Sequence, residues 1–191
     1  MSRTENDIFD AYKQEHGEDG VRWREWWRRY WMDQIADYFE RKWWLVPCGK
    51  YSKRPIAGFE WSRKRLSFEE TVWFAAQGLN IAVVAEDLVI LDVDSDAKKP
   101  YDTGTLTMKT PKGYQYWCSG PFDHGRTSLL RKLGFDVPRS GIMFSLVPLS
   151  RTCRNDKGGK CFCLVHDFRF REWVNFGAEC LPFRKVVREL I

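Results

Sequence analysis

The chain has 191 residues, of which 43% are hydrophobic, so a packed core is possible and global disorder is excluded. Lysine and arginine number 31 against 26 acids, and the formal charge of +5 permits a nucleic-acid partner without requiring one. No apolar stretch approaches the roughly 20 residues that span a membrane, and the polar start MSRTENDIFD lacks a signal-peptide pattern, so we expect a cytoplasmic protein.

The N-terminal region is predicted to be helical. From Val21 onwards, large apolar side chains recur every fourth residue and form one stripe along a helix, at Trp23, Trp27, Trp31, Ile35 and Phe39. Core packing is the usual role of such a stripe, although tryptophan rings can also stack on bases. We therefore divide the chain into an N-terminal helical extension, residues 1–35, and one domain, residues 36–191.

Strand and helix signals then alternate along the chain. KWWLVP, residues 42–47, has a strand pattern and is followed by a basic loop, Lys50–Arg65. SFEETVWFAAQG has the pattern of a helix, with Ser67 and Glu70 at the capping-box spacing and Gly78 at its end.

The second half of the chain is dominated by strand patterns. NIAVVAEDLVILDVD predicts two strands joined at Glu86-Asp87, and TLTMKTPKGYQYWC predicts a strand pair around Pro111–Gly113. A short helix should stop at Gly134, a further strand should end at Pro148, and PFRKVVRELI predicts a terminal helix. Helices combined with hairpin-connected strands predict an α+β fold, in which the helices pack on a mostly antiparallel sheet.

The acids of LVILDVDSD are the first candidates for chemistry. Because alternate side chains of a strand share a face, Asp92 and Asp94 should project together at the end of a buried strand. Neighbouring carboxylates repel each other and are costly to desolvate, and a divalent cation would offset both costs.

Other uses of such acids fit less well. An EF-hand loop needs glycine at its sixth position and glutamate at its twelfth, where this chain has Ala97 and Thr103. A D-x-D glycosyltransferase also holds a metal and a diphosphate after an apolar strand, but it usually follows a nucleotide-binding βαβ region, which residues 40–91 do not resemble. That function stays open as a weaker alternative, as does a solvated strand end without a ligand.

The acids stand within an ordered set of motifs. KYSKRPIAGFEW precedes them, KTPKGYQYW follows, and LGFDVPRSGIMFSLVPLS comes further on. From about Ala36 to Ser150 this set resembles the bifunctional primase-polymerase (prim-pol) domain of the archaeo-eukaryotic primase superfamily, which is common on plasmids and viruses. The resemblance implies an RRM-like catalytic sheet within the α+β fold, and the cytoplasm of a host cell as its location if a plasmid or virus encodes it.

The resemblance also implies metal-dependent, template-directed nucleotidyl transfer. Asp92 and Asp94 match the family's paired acids and Asp136 matches its third acid, which together would be catalytic and hold two Mg²⁺ or Mn²⁺ ions. The residues that match family positions near the nucleotide are Lys53, Lys112, Gln115, Arg139 and Ser150. The implied partners are a single-stranded DNA template and nucleoside triphosphates, and many relatives are fused to a helicase module.

One residue departs from the family pattern. The family generally has a histidine that contacts the nucleotide's phosphates where this chain has Gln115. Glutamine can donate a hydrogen bond but carries no positive charge, and a charge-assisted bond to phosphate is roughly twice as strong as a neutral one. The alternative to a polymerase is therefore a catalytically weak relative that binds DNA during the initiation of replication.

The six cysteines are irregularly spaced, and reduced thiols are expected in a cytoplasmic protein. Three of them, Cys153, Cys161 and Cys163, lie close in sequence to His166. Three thiols and one imidazole could form a tetrahedral zinc site. Because their spacing is not that of a C-x2-C knuckle, zinc and free thiols in a hairpin both remain open.

Overall fold

The computed structural model describes residues 31–50, 52–94, 101–137, 143–148, 150–153 and 168–190. Helices and antiparallel strand pairs occur together in these residues, and the predicted α+β class is confirmed. The chain forms two compact units, Met1–Val84 with Ser145–Phe170 and Ala85–Phe144 with Arg171–Ile191. The predicted extension, residues 1–35, lies almost wholly outside the described residues, so that division stays a prediction.

A three-stranded sheet, with helices before and between its strands, lies mainly in the first unit. Residues 31–40 are helical (α1), and the further elements are β1 (Trp44–Cys48), α2 (Phe68–Ala76), β2 (Asn80–Ala85) and β6 (Met143–Leu146). The strand order is β1-β2-β6, and β1 and β2 are antiparallel. A separate strand pair is formed by β7 (Arg151–Cys153) and β8 (Phe168–Phe170).

Helix α2 begins as the sequence predicts. The Ser67 side chain accepts a hydrogen bond from the Glu70 backbone N–H, and the Glu70 carboxylate accepts one from the Ser67 backbone N–H. These reciprocal bonds satisfy two backbone donors that the first helical turn leaves open. After the helix, Gly78 takes a φ of +76°, a conformation that glycine adopts without steric cost.

The second unit contains a four-stranded antiparallel sheet. Its strands are β3 (Leu88–Val93), β4 (Leu106–Lys109), β5 (Tyr114–Ser119) and β9 (Glu172–Trp173), in the order β3-β5-β4-β9. A 3₁₀ turn, His124–Arg126, leads into α3 (Thr127–Lys132), and the C-terminal helix is α4 (Phe183–Leu190). The hairpin predicted around Pro111–Gly113 joins β4 to β5 and is confirmed.

Alternation along β3 separates the two faces of this sheet. The odd-numbered side chains Val89, Leu91 and Val93 are buried in a core together with residues of α3 and α4. The even-numbered side chains therefore lie on the opposite face, and they include Asp92. The prediction of two strands joined at Glu86-Asp87 is confirmed, although β2 and β3 belong to different sheets.

Three cysteines whose side chains are described are free thiols, namely Cys48, Cys118 and Cys180. Cys48 and Cys118 are buried, and Cys180 is partly buried. Burial raises the pKa of the Cys118 thiol to about 12, with a smaller contribution from Cys180, so this thiol stays protonated at neutral pH. Within the described ranges, no helix has the length and apolar character needed to cross a membrane.

Candidate active site

Asp92 and Asp136 are joined through their backbones. The Asp136 N–H donates to the Asp92 carbonyl oxygen at 2.7 Å, and the Asp92 N–H donates to the Asp136 carbonyl oxygen at 3.3 Å. Residues that exchange both hydrogen bonds in an antiparallel bridge have Cα atoms about 5.5 Å apart and side chains on the same face. The two aspartates are therefore cross-strand neighbours.

The residues on either side of Asp136 explain its orientation. Phe135 and Val137 are buried in the same core as α3 and α4, whereas Asp136 is exposed. In an extended segment, a polar residue between two inward-facing apolar residues projects to the other face. This is the face of the sheet that Asp92 occupies, because its neighbours Leu91 and Val93 also point into that core.

Gln115 lies on the other side of Asp92 in the same cross-strand row. The register of β3 against β5 pairs Asp92 with Gln115, and the Gln115 Nε2 donates to Asp92 Oδ2 at 3.0 Å. Gln115 is 8% exposed and Asp92 is partly buried, so this bond is largely shielded from water. The bond holds the Asp92 carboxylate in one orientation. No local pattern in the sequence predicts this hydrogen bond.

Asp94 directly follows β3 and is more exposed than Asp92. The Lys112 Nζ lies 3.8 Å from Asp94 Oδ2, and both side chains are more than half exposed, at 73% and 62%. An ion pair this exposed contributes little stability. Its significance is positional, because the turn between β4 and β5 brings a flexible ammonium group beside the acids. The position of Lys112 could have been predicted by pairing the hairpin that contains KTPKG with the end of β3.

Three acids do not form a ready-made metal site. In the described part of the chain, no group of three or more His, Cys, Asp or Glu side chains is placed closely enough to hold a metal ion. Asp92 and Asp136 are brought together, and Asp94 stands two residues beyond Asp92 beside Lys112. The catalytic and metal-binding roles of these three residues stay predictions.

Two aromatic residues not singled out by the sequence support this region. The Tyr101 backbone N–H donates to the Tyr116 hydroxyl, and the Tyr101 ring packs 5.6 Å from the ring of Phe135, which directly precedes Asp136. Burial raises the pKa of Tyr116 to about 12, so its hydroxyl remains neutral and available for hydrogen bonding. Tyr101 thereby links β5 to the segment that carries Asp136.

Two of the other predicted nucleotide-binding residues, Lys53 and Ser150, lie among the described residues. Lys53 and Ser150 belong to the first compact unit, and Arg139 lies outside the described residues. Lys53 is exposed, whereas Ser150 is 2% exposed. The Ser150 hydroxyl accepts from the Ile81 N–H at 3.1 Å and donates to the Ile81 carbonyl oxygen at 2.9 Å, so it ties its own segment to β2. Contacts of these residues with a nucleotide stay predictions.

The possible zinc ligands cannot be placed together. Cys161, Cys163 and His166 lie outside the described residues, and for Cys153 only its position in β7 is described. Zinc binding by this group therefore stays a prediction.

Comparison with known families agrees with the motif pattern. Residues 35–164, more than half of the chain, match the family described as bifunctional DNA primase/polymerase, N-terminal. The matched range contains Asp92, Asp94 and Asp136, and it starts within one residue of the range over which the motifs resemble this family. No curated protein matches the chain.

Proposed function

The chain belongs to the family of bifunctional DNA primase/polymerase N-terminal domains, and from this membership we propose that it adds nucleotides to a primer end along a DNA template. The family is one of primase/polymerase-type nucleotidyl transfer, for which a DNA template and nucleoside triphosphates are the reactants. Metal dependence, primer synthesis, a role in plasmid or virus replication and cooperation with a helicase module are further parts of the proposal, and they rest on the resemblance alone.

The observation that carries the proposal is the antiparallel pairing of Asp92 with Asp136. It makes neighbours of two carboxylates from distant parts of the chain, on the sheet face opposite the helix-covered core. Carboxylate oxygens are the donors that Mg²⁺ and Mn²⁺ take, so the residues fit the proposed cations. Asp94 is proposed as the third carboxylate, on the basis of its position two residues after Asp92.

Each residue of the site has a proposed task. Asp92, Asp136 and Asp94 would hold divalent cations, which when bound stabilise the charge of the reacting triphosphate and activate the attacking 3′-hydroxyl. Gln115 orients the Asp92 carboxylate through its 3.0 Å hydrogen bond. Lys112 provides a mobile positive charge beside Asp94 that can turn to the nucleotide's phosphates.

A catalytically weak DNA-binding module is the second candidate function. Its specific support is Gln115, which has no charge to offer a phosphate and whose amide already donates to Asp92. The D-x-D glycosyltransferase alternative is not retained, because the family that matches the chain is a primase/polymerase family.

Primer extension tests the proposal directly. Asp92→Asn and Asp136→Asn remove one carboxylate each with almost no change in shape, and each should lower nucleotide incorporation by more than about 100-fold, since even partners of metal ligands are worth 10–100-fold. Asp87→Asn is the matched control, because Asp87 is an exposed acid at the opposite end of β3. Incorporation is measured on a labelled primer-template with Mn²⁺ or Mg²⁺, and DNA binding by fluorescence anisotropy.

Two results would contradict the proposal in different ways. A wild-type protein that binds the primer-template but never extends it would support the DNA-binding module. An Asp136→Asn variant as active as Asp87→Asn would remove Asp136 from the site while leaving the family assignment intact.

A further inference from the structure

A second site is indicated on the helical side of the second unit. There a groove of about 380 Å³ opens between the 3₁₀ turn and helix α4, lined by Asp123, Arg126, Phe183, Arg184, Val187 and Arg188. Its volume lies within the range of ligand-binding clefts. All six residues belong to one compact unit, and none is among the residues considered for nucleotidyl transfer.

The groove carries an excess of positive charge. Arg126, Arg184 and Arg188 are exposed, and among the described residues none of their guanidinium groups forms an ion pair. The single acid, Asp123, uses its Oδ1 to accept the Gly125 N–H at 2.9 Å, so it serves as the cap of the 3₁₀ turn.

Stability of the fold accounts for these arginines only in part, since Arg188 alone lies in the last turn of α4, where a positive charge interacts favourably with the helix dipole. Helix α4 is anchored by its apolar stripe, Phe183, Val186, Val187 and Leu190, all of which are buried. Arg184 and Arg188 lie on the exposed side one turn apart, and like charges at this spacing destabilise a helix. An anion bound between them would convert that repulsion into attraction.

We propose that this groove binds the phosphate backbone of a single-stranded DNA template; the proposal rests on the proposed function for the choice of ligand. Arginine forks match phosphate oxygens, often through two parallel hydrogen bonds. Arg184 and Arg188 are four residues apart, about 6 Å along the helix axis, and Arg126 adds a third donor group from another element. This spread along the groove suits successive phosphates of an extended strand better than a single phosphate. Contacts of this kind position a strand without reading its sequence.

The test compares two double variants with equal loss of charge. Arg184→Gln with Arg188→Gln removes the groove's helical arginines, whereas Arg131→Gln with Lys132→Gln removes two exposed charges from α3 outside the groove. Fluorescein-labelled oligothymidylate is titrated by anisotropy at several salt concentrations. For single strands, each phosphate contact contributes about −0.7 to the slope of the logarithm of the binding constant against the logarithm of the salt concentration. The slope of the groove variant should therefore be less negative than that of the wild type by about 1.4. The control should keep the wild-type slope.

The outcomes separate this site from its rivals. Equal slopes for the two variants, or no change in the groove variant, would overturn the proposal. A titration with sodium tripolyphosphate is included, and a groove variant that loses tripolyphosphate affinity but keeps its DNA slope would also overturn it. Circular dichroism checks that both variants fold. The binding measurement needs no catalysis, so a wild-type protein that fails to extend primers would refute the proposed function and leave this result standing.

Discussion

Gln115 occupies a position where the family pattern has histidine, and its surroundings explain how glutamine can serve there. The side chain is almost fully buried, and its amide N–H meets the Asp92 carboxylate across the β3–β5 pair. A neutral amide has a fixed N–H donor at every pH, so the hydrogen bond to Asp92 does not depend on protonation of the donor. Gln115 is thus suited to orienting a carboxylate, whichever contacts it makes with a nucleotide.

Replacing Gln115 by leucine should destabilise the protein, because it removes the hydrogen bond from Gln115 to the Asp92 carboxylate. The side chains have similar size, but leucine leaves a half-buried carboxylate oxygen without its donor, which costs about 1–3 kcal/mol in the free energy of unfolding. Urea denaturation at neutral pH measures this loss, with Gln77→Leu at an exposed position as the control. Mn²⁺ should restore more stability to Gln115→Leu than to the control. An equal loss in both variants would mean that the Gln115–Asp92 bond is not significant.

Ser150 illustrates how a residue that is predicted to contact a nucleotide can also have a structural task. Its hydroxyl is a donor and an acceptor at once, and both functions are used by the backbone of Ile81 in β2. A hydroxyl at 2% exposure has little surface to offer a nucleotide. The motif position was recognisable in the sequence, whereas its burial followed from packing around β2.

At the level of elements, the first turn of α2 combines several interactions that depend on charge. The Lys64 ammonium bonds the Glu70 carboxylate at 2.8 Å and lies 5.6 Å from the centre of the Phe59 ring. The hydrogen bond from Lys64 and that from the Ser67 backbone N–H lower the pKa of Glu70. A carboxyl whose pKa is lowered by folding stabilises the protein above its unfolded pKa, and this contribution is lost as the pH falls through the folded value.

The capping box of α2 should make a measurable contribution to the free energy of unfolding, and this contribution should depend on pH. Ser67→Ala should lower the free energy of unfolding by about 1 kcal/mol, because it removes the side-chain acceptor for the Glu70 N–H. Ser62→Ala, in an exposed turn, is the control. Glu70→Gln should be less stable than wild type at pH 7, and the gap should narrow as the pH falls below the ordinary carboxyl range. A gap that stays constant with pH would contradict the role assigned to the Glu70 charge.

The β4–β5 hairpin determines which side chains meet Asp92. Its turn at Pro111–Gly113 sets the register in which Met108 and Asp92 flank Gln115. Because side chains alternate, a slip of one residue would place Tyr116 or Tyr114 against Asp92 and move Gln115 to the core face. The turn chemistry is therefore as important to the site as the acids themselves.

For the molecule as a whole, two basic regions have different environments. In the loop Lys50–Arg65 some charges are used internally, since Lys64 bonds Glu70 and the Arg65 guanidinium lies 4.7 Å from the centre of the Trp44 ring. The arginines of the α4 groove have no such ion-pair partner among the described residues. The net charge is +5, but the basic side chains thus differ in how freely they can contact phosphates.

Removing divalent cations should separate catalysis from DNA binding. With EDTA, primer extension should stop, because the cations that are proposed to bind at Asp92, Asp94 and Asp136 are then removed. Oligothymidylate affinity at constant ionic strength should change less than twofold, because arginine–phosphate attraction needs no metal. Both are measured on one protein sample, and restored Mn²⁺ should recover extension. A parallel loss of DNA affinity would show that the cations also hold the DNA.

Short sequence patterns were enough to predict most of the described helices and strands, and also the family. The capping box of α2, the turn at Pro111–Gly113 and the apolar run before Asp92 act over a few neighbouring residues, so their hydrogen bonds and periodicity can be read locally. The ordered motifs were enough to indicate the prim-pol family, which the match over residues 35–164 confirms. Local rules have this power because each depends only on backbone geometry nearby.

The contacts between distant side chains, in contrast, became visible in the folded structure and not in the sequence. The pairing of Asp92 with Asp136, the bond from Gln115 to Asp92 and the gathering of Arg126 with Arg184 all join segments far apart in the chain. Such contacts depend on strand register and on how helices cover a core, and a shift of one residue would change every partner. The same physics explains Ser150, whose motif was visible while its burial against β2 was not. Long-range packing is decided by the whole hydrophobic core together, and no short stretch of sequence contains that information.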